Sequence, residues 1–271
     1  MQSKTILVTG STDGIGKQTA LELAGMGAQV ILHGRSEQRC RATLNEIERA
    51  TGNKRLCFYA ADFSSLRQVR EMAAAVQRDH SRLDVLVNNA GVYMHERVLT
   101  EDGLEMTFAV NHLAHFLLTN LLLPVLKNSS AARIVTVASS AHEKRQVDFE
   151  NLQGEKHFDG FKAYLLSKLG NILFTYELAQ RLQGSSATAN CLHPGVVDTK
   201  MQRMSFKLGG VSVAEGAETS IYLASSPGVE GVNGKYFVSK KEAESAPLTY
   251  DAAIRKSFWL VSEQLAGLSP V

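Results

Sequence analysis

Tyr164 and Lys168 lie four residues apart in Tyr164-Leu165-Leu166-Ser167-Lys168, inside a stretch from 161 to 183 with helical periodicity. That spacing puts a phenol and an ammonium on one helix face. A free tyrosine, with a pKa of about 10, is a poor acid or base at neutral pH, whereas a neighbouring ammonium favours the phenolate. A tyrosine tuned in this way can give a proton to a carbonyl oxygen, or take one from an alcohol in reverse. The pair alone occurs often by chance. The elements that would carry it must decide.

Apolar, β-branched runs recur at 4–9, 28–33, 55–61, 83–88, 132–138 and 188–193, and a last one is read at 234–238. They are near-continuous rather than alternating, as strands covered on both faces are. Helical periodicity fills 14–26, 37–50, 65–79, 103–127 and 161–183, and a closing helix is read at 250–266. Strict alternation predicts an α/β fold, a doubly wound, mostly seven-stranded parallel sheet with helices on both faces. No repeat, low-complexity tract or Pro-rich linker interrupts residues 1–271, which predicts a single domain. Functional residues then belong just after the strands, in the crevice at their carboxyl ends. The segments at about 141–160 and 198–214 read as loops over that crevice.

The first strand runs into Thr9-Gly10-Ser11-Thr12-Asp13-Gly14-Ile15-Gly16, and helical periodicity follows at once. Glycines 10, 14 and 16 permit a tight turn and close approach of a pyrophosphate to a helix N-terminus. Ser11, Asp13 and Ile15 complete the turn. Enzymes that select NAD place an acid at the end of the second strand, but here that place reads His33-Gly34-Arg35-Ser36. A guanidinium fork matches a 2′-phosphate, so NADP(H) is expected ahead of NAD(H), with Asp13 a small counter-signal.

Asp62 follows the third strand, Asn88-Asn89-Ala90-Gly91 the fourth, Ser139 the fifth and Pro194-Gly195 the sixth, while Asn111 lies in the helix after the fourth. With the glycine turn and the tyrosine-lysine pair, this set resembles the short-chain dehydrogenase/reductase (SDR) family over nearly the whole chain. The resemblance implies Tyr164 as general acid/base, Lys168 lowering its pKa and binding the nicotinamide ribose, Ser139 holding the substrate oxygen and Asn111 holding a water in a proton relay. Ser140 competes with Ser139 for that place, and the strand alignment favours Ser139. The resemblance also implies adenine contacts at Asp62 and Phe63, cofactor packing at Asn88, Ala90 and Gly91, and carboxamide contacts from Pro194, Gly195, Val196 and Thr199. Val110 to Thr119, His193-Pro194-Gly195 and Gly234 to Phe237 are most similar to the retinol dehydrogenase-like and carbonyl reductase group. Many animal members of that group carry an N-terminal membrane anchor, and none is read here, which points away from a membrane-presented retinoid.

The 271 residues are 44% hydrophobic and 21% charged with a net charge of +2, which suits a full core and gives no case for nucleic acid. Cys40, Cys57 and Cys191 have neither metal-ligand nor disulfide spacing, and with no signal segment or membrane span a cytoplasmic location is expected. The histidines show no metal pattern, and Ser139 lacks a GxSxG elbow. Tyr93, His142, Met201, Met204 and Phe206 are the candidate substrate-pocket residues. The expected activity is hydride transfer between NADP(H) and a small apolar or mixed carbonyl or alcohol; the alternative is a non-catalytic NADP(H)-binding redox sensor or scaffold. The resemblance implies a homodimer or homotetramer through 103–127 and 161–183, unless the C-terminal helix with Phe258, Trp259 and Leu260 caps an edge.

Overall fold

The apolar runs form the strands of one sheet in a computed structural model that describes residues 1–144, 146–205 and 209–268. β1 (Thr5–Val8), β2 (Gln29–Gly34), β3 (Leu56–Ala60), β4 (Val85–Asn88), β5 (Arg133–Val137), β6 (Thr188–His193), β7 (Tyr236–Val238) and β8 (Lys241–Ala243) lie in the order β3-β2-β1-β4-β5-β6-β7-β8. The first seven pair in parallel; β8 runs antiparallel to β7. The sheet therefore has eight strands rather than the expected seven. β8 was not legible because Lys-Glu-Ala carries no apolar alternation. Its hairpin also turns on Ser239 and Lys240, at φ 49° and 63°, rather than on Asn-Gly.

Both faces of the sheet are covered, which explains the continuous apolar runs. Leu7, Ile31, Leu86, Ile134 and Ala189 point into one layer. Ile6, Val8, Val30, Leu32, Val85, Val87, Val135 and Leu192 point into the other. The second layer takes α1 (Gly14–Gly25) and α2 (Glu37–Thr51). The first takes α3 (Leu66–Asp79) and a continuous helical run made of α4 (Met106–Phe108), a π turn (Ala109–Leu113) and α5 (Ala114–Lys127). α6 (Gly160–Arg181) and, after the short α7 (Lys200–Ser205), α8 (Val213–Ser225) flank β5 and β6. α8 was missed in the sequence, although Ser212 and Glu215 form the capping box that starts it.

α9 (Ala252–Leu265) packs along α6. Trp259 stacks on Phe174, with centroids 5.9 Å apart, and meets Phe116 at 4.8 Å, while Ser262 bonds His112 across 2.9 Å. Every residue of α6 from Leu165 to Ala179 is buried within the monomer. Among the described residues, only the run Met106–Lys127 is long and apolar enough to cross a membrane, and 78% of its most apolar stretch is buried in this core.

Candidate active site

β1 and β4 are neighbours although five elements separate them in sequence, so the chain leaves the sheet in opposite directions on either side and opens a crevice above their ends. The glycine turn sits on one wall. Gly10, at φ 64°, packs so closely on Ala90 that a Cβ would lie 2.7 Å from the Ala90 Cα, and a Cβ on Gly16 would collide with the Gly10 carbonyl and the Asn89 amide. Asn89 Nδ2 donates to Thr9 O (2.8 Å), and Thr9 Oγ1 accepts the Asn89 and Ala90 N–H groups (2.8 and 3.0 Å), locking the turn to β4. Asp13 caps α1 through Gly14 N (2.8 Å), while the Ile15 and Gly16 N–H groups have no acceptor among the described residues. These orphaned donors at a helix N-terminus form an anion cradle.

Arg35, at the end of β2, is exposed and has no ion pair among the described residues. One turn further on, Arg39 reaches Asp13 at 3.4 Å and offsets the carboxylate that stood against a phosphate there. Arg39 was missed in the sequence, although it follows Arg35 by four residues on α2. Thr199 stands across the turn, within 3.5 Å of where a Gly14 Cβ would be. A bridge between Val197 and Val211 and the bond from Val211 N to Val196 O (2.8 Å) hold its loop, in which Gly195 takes φ 89°.

Tyr164 and Lys168 lie on the inner face of α6. Lys168 Nζ donates to Val137 O across 3.1 Å and stands 5.7 Å from the Tyr164 ring centroid. Ser139, just beyond β5, hydrogen-bonds the Tyr164 hydroxyl. Tyr93 lies beside Tyr164, with centroids 5.9 Å apart, on the outer side of the crevice. Gly91 lets the chain pass the Lys168 ammonium, 3.9 Å from where its Cβ would be. The serine, tyrosine and lysine thus meet above β4 and β5, on the side of the crevice opposite the turn.

The phenol departs from the sequence expectation. Burial pushes the Tyr164 pKa up to about 12, against the lowering effect of the Ser139 hydrogen bond. Burial also pulls Lys168 down to about 8, so the ammonium is itself poorly solvated and tied to a carbonyl.

Several of the expected side chains are hydrogen-bonded within the protein. Asn111 accepts Val92 N (2.7 Å) through Oδ1, its Nδ2 donates to Val92 O and to Ser167 Oγ (both 3.0 Å), and its main-chain carbonyl accepts His115 Nδ1 (3.0 Å). Ser11 Oγ is spent on the backbone of His33, and Asn88 Nδ2 on Thr119 (2.9 Å). The Phe63 ring is buried, stacked on His33 at 4.0 Å, because apolar surface at that strand end belongs to the core; only its backbone can meet a cofactor. Asp62 folds back on Ser64, accepting its N–H at 2.9 Å and its hydroxyl at 2.8 Å. His142 is not a pocket residue. It is fully buried, with both ring nitrogens bonded, because the turn after Ser139 swings it under the sheet edge. Met201 is half-buried on α7, whereas Phe206 and the Met204 side chain lie outside the described residues.

Residues 4–207 match the family model for short chain dehydrogenases, and human (Homo sapiens) retinol dehydrogenase 14 is 41% identical over 99% of this chain and 88% of its own. The chain belongs to the short-chain dehydrogenase family. Mouse (Mus musculus) retinol dehydrogenase 13 is 43% identical to this dehydrogenase, over 98% of this chain and 84% of the relative. Among solved structures, a Mycobacterium paratuberculosis protein superposes with a TM-score of 0.83 at 32% identity, covering 99% of this dehydrogenase and 96% of that chain. A Shigella flexneri short chain dehydrogenase complexed with NADP gives a TM-score of 0.74 at 26% identity over 89% and 98% of the two chains. The dehydrogenase is thus retinol dehydrogenase-like in sequence, and the relatives extend through α9, beyond the end of the family model.

Proposed function

We propose that this dehydrogenase is an NADP(H)-dependent carbonyl reductase, running as an alcohol dehydrogenase in reverse, with Tyr164 as its general acid/base. The observation that carries the reading is the meeting of Ser139, Tyr164 and Lys168 at the crevice where the glycine turn opens. Gly10, Gly14 and Gly16 with the free Ile15 and Gly16 N–H groups fit a pyrophosphate, Arg35 fits a 2′-phosphate, and the Thr199 loop closes the opposite side. Bound NADPH supplies the hydride.

The chain's own part is proton delivery. Ser139 Oγ accepts the Ala141 N–H at 3.2 Å, so its one hydrogen donates to the Tyr164 oxygen and would turn to a substrate carbonyl once that is bound beside it. A phenol held near pKa 12 stays protonated and is ready to donate as the carbonyl oxygen gains charge. Lys168, and the positive charge a bound nicotinamide would carry once its hydride has left, would stabilise the phenolate left behind. Lys168, one turn along the same helix, would return the proton. Tyr93, beside Tyr164, and Met201 on α7 would line a pocket for an apolar or mixed aldehyde or ketone. The human and mouse relatives make all-trans-retinal the first carbonyl to try. The test is NADPH oxidation with all-trans-retinal and a panel of aromatic and aliphatic aldehydes. Turnover lost in Tyr164→Phe supports the reading, and absence of turnover with every member overturns it.

A further inference from the structure

β5 ends at Val137, and the chain must break sharply to present Ser139 to Tyr164. The break is a 3₁₀ turn, Ser140–Lys144, whose only buried side chain among the described residues is His142. Its Nδ1 lies 2.6 Å from the carbonyl oxygen of Ser139, which can only accept, so Nδ1 carries the proton. Its Nε2 is then bare and accepts the Ala246 N–H at 3.0 Å. The ring is further held edge-on against Tyr236, with centroids 5.2 Å apart. Ala246 itself is anchored: Thr249 Oγ1 donates to its carbonyl (2.7 Å), and Ser245 bonds Thr249 (2.7 Å) and Tyr176 of α6 (2.8 Å). One imidazole therefore ties the main chain of the serine to the same helix that carries Tyr164. Glu143, on the turn, and His193, at the end of β6, are the titratable groups that act on it, and burial keeps the ring neutral.

We infer that His142 is a positioning residue for Ser139, holding the serine carbonyl so that its hydroxyl points at Tyr164. The inference rests on the reading of Ser139 and Tyr164 as the proton-delivering pair. It assigns no substrate contact to His142.

Two amide substitutions separate the ring's two bonds. Asn places its amide nitrogen where Nδ1 stands and keeps the bond to Ser139. Gln places its oxygen where Nε2 stands and keeps only the bond to Ala246. With all-trans-retinal or 4-nitrobenzaldehyde as the carbonyl, H142Q lowers kcat about tenfold, the worth of one misplaced hydrogen bond, with KM for NADPH unmoved. H142N recovers most of that loss. Wild-type kcat in H142Q, or equal loss in H142N and H142Q, overturns the inference. A readout without turnover uses protein labelled with 13C at tyrosine Cζ, the Tyr164 resonance being assigned by its disappearance in Y164F. That resonance shifts in H142Q and stays in place in H142N. A shift in H142N, or none in H142Q, overturns the inference, even if H142Q is too unstable to compare or the wild type reduces neither carbonyl. Failure with both carbonyls counts against the carbonyl reductase reading instead.

Discussion

The Lys168 ammonium stands 5.7 Å from the centre of the Tyr164 ring, one turn along the same helix, and is only 4% exposed. Burial lowers its pKa from 10.5 to about 8. The unfolded chain therefore binds more protons than the folded one between pH 8 and 10.5, and stability rises with pH across that window. Below pH 8 the full cost of burying the charge is present, on the order of 3 kcal/mol from the shift. Lys168→Met removes that cost and one hydrogen bond worth about 1 kcal/mol. At pH 7 the variant should melt a few degrees above wild type while losing activity, and the gain should shrink as the pH approaches 10. Melting curves at pH 7 and 10 check this; a lower Tm at pH 7 contradicts it.

Arg35 has no ion pair among the described residues, and its neighbour Arg39 already neutralises Asp13. Removing a guanidinium from a phosphate costs about 1.5–3 kcal/mol, or about ten- to a hundredfold in affinity. Arg35→Ala should weaken NADPH by that factor and leave NADH unchanged. Titration of both cofactors by fluorescence measures the ratio, and an unchanged ratio refutes the 2′-phosphate role.

Gly16 has no room for a methyl group between the Gly10 carbonyl and the Asn89 amide. Gly16→Ala must push the turn away from β4, costing about 1–3 kcal/mol as an overpacked site does. NADPH affinity and Tm should both fall; wild-type values for both show that the turn is not held as described.

α6 is buried within one chain from Leu165 to Ala179, and α9 covers it through Phe258, Trp259 and Ser262. Between Leu165 and Ala179 a partner therefore finds no free face on α6. Light scattering should give a mass of 29.6 kDa, that of one chain. A stable dimer whose contacts map to α6 contradicts this.

What the sequence made legible was whatever local pattern dictates. The continuous apolar runs gave the seven parallel strands, and the glycine spacing at 10, 14 and 16 gave the turn, because sterics leave few residues any choice there. The four-residue step from Tyr164 to Lys168 gave a shared helix face, and Ser139 was placed by its strand. Directions of single side chains after a strand end were not legible. His142 and Phe63 follow strands as pocket residues do, yet both turn inward, because the path of the next few residues decides which way a ring points. The α8 capping box was readable in Ser212 and Glu215 but was masked by the adjacent glycines. The pKa of Tyr164 was misjudged because spacing shows the ammonium and not the burial that outweighs it.

Proton delivery by Tyr164 is read out by the kcat of Tyr164→Phe for NADPH-dependent carbonyl reduction. The hydroxyl is the only group removed. The variant should still bind NADPH and should lose about a hundredfold or more in kcat, the usual contribution of a general acid. Wild-type turnover in a variant that still binds NADPH would rule out Tyr164 as the proton donor.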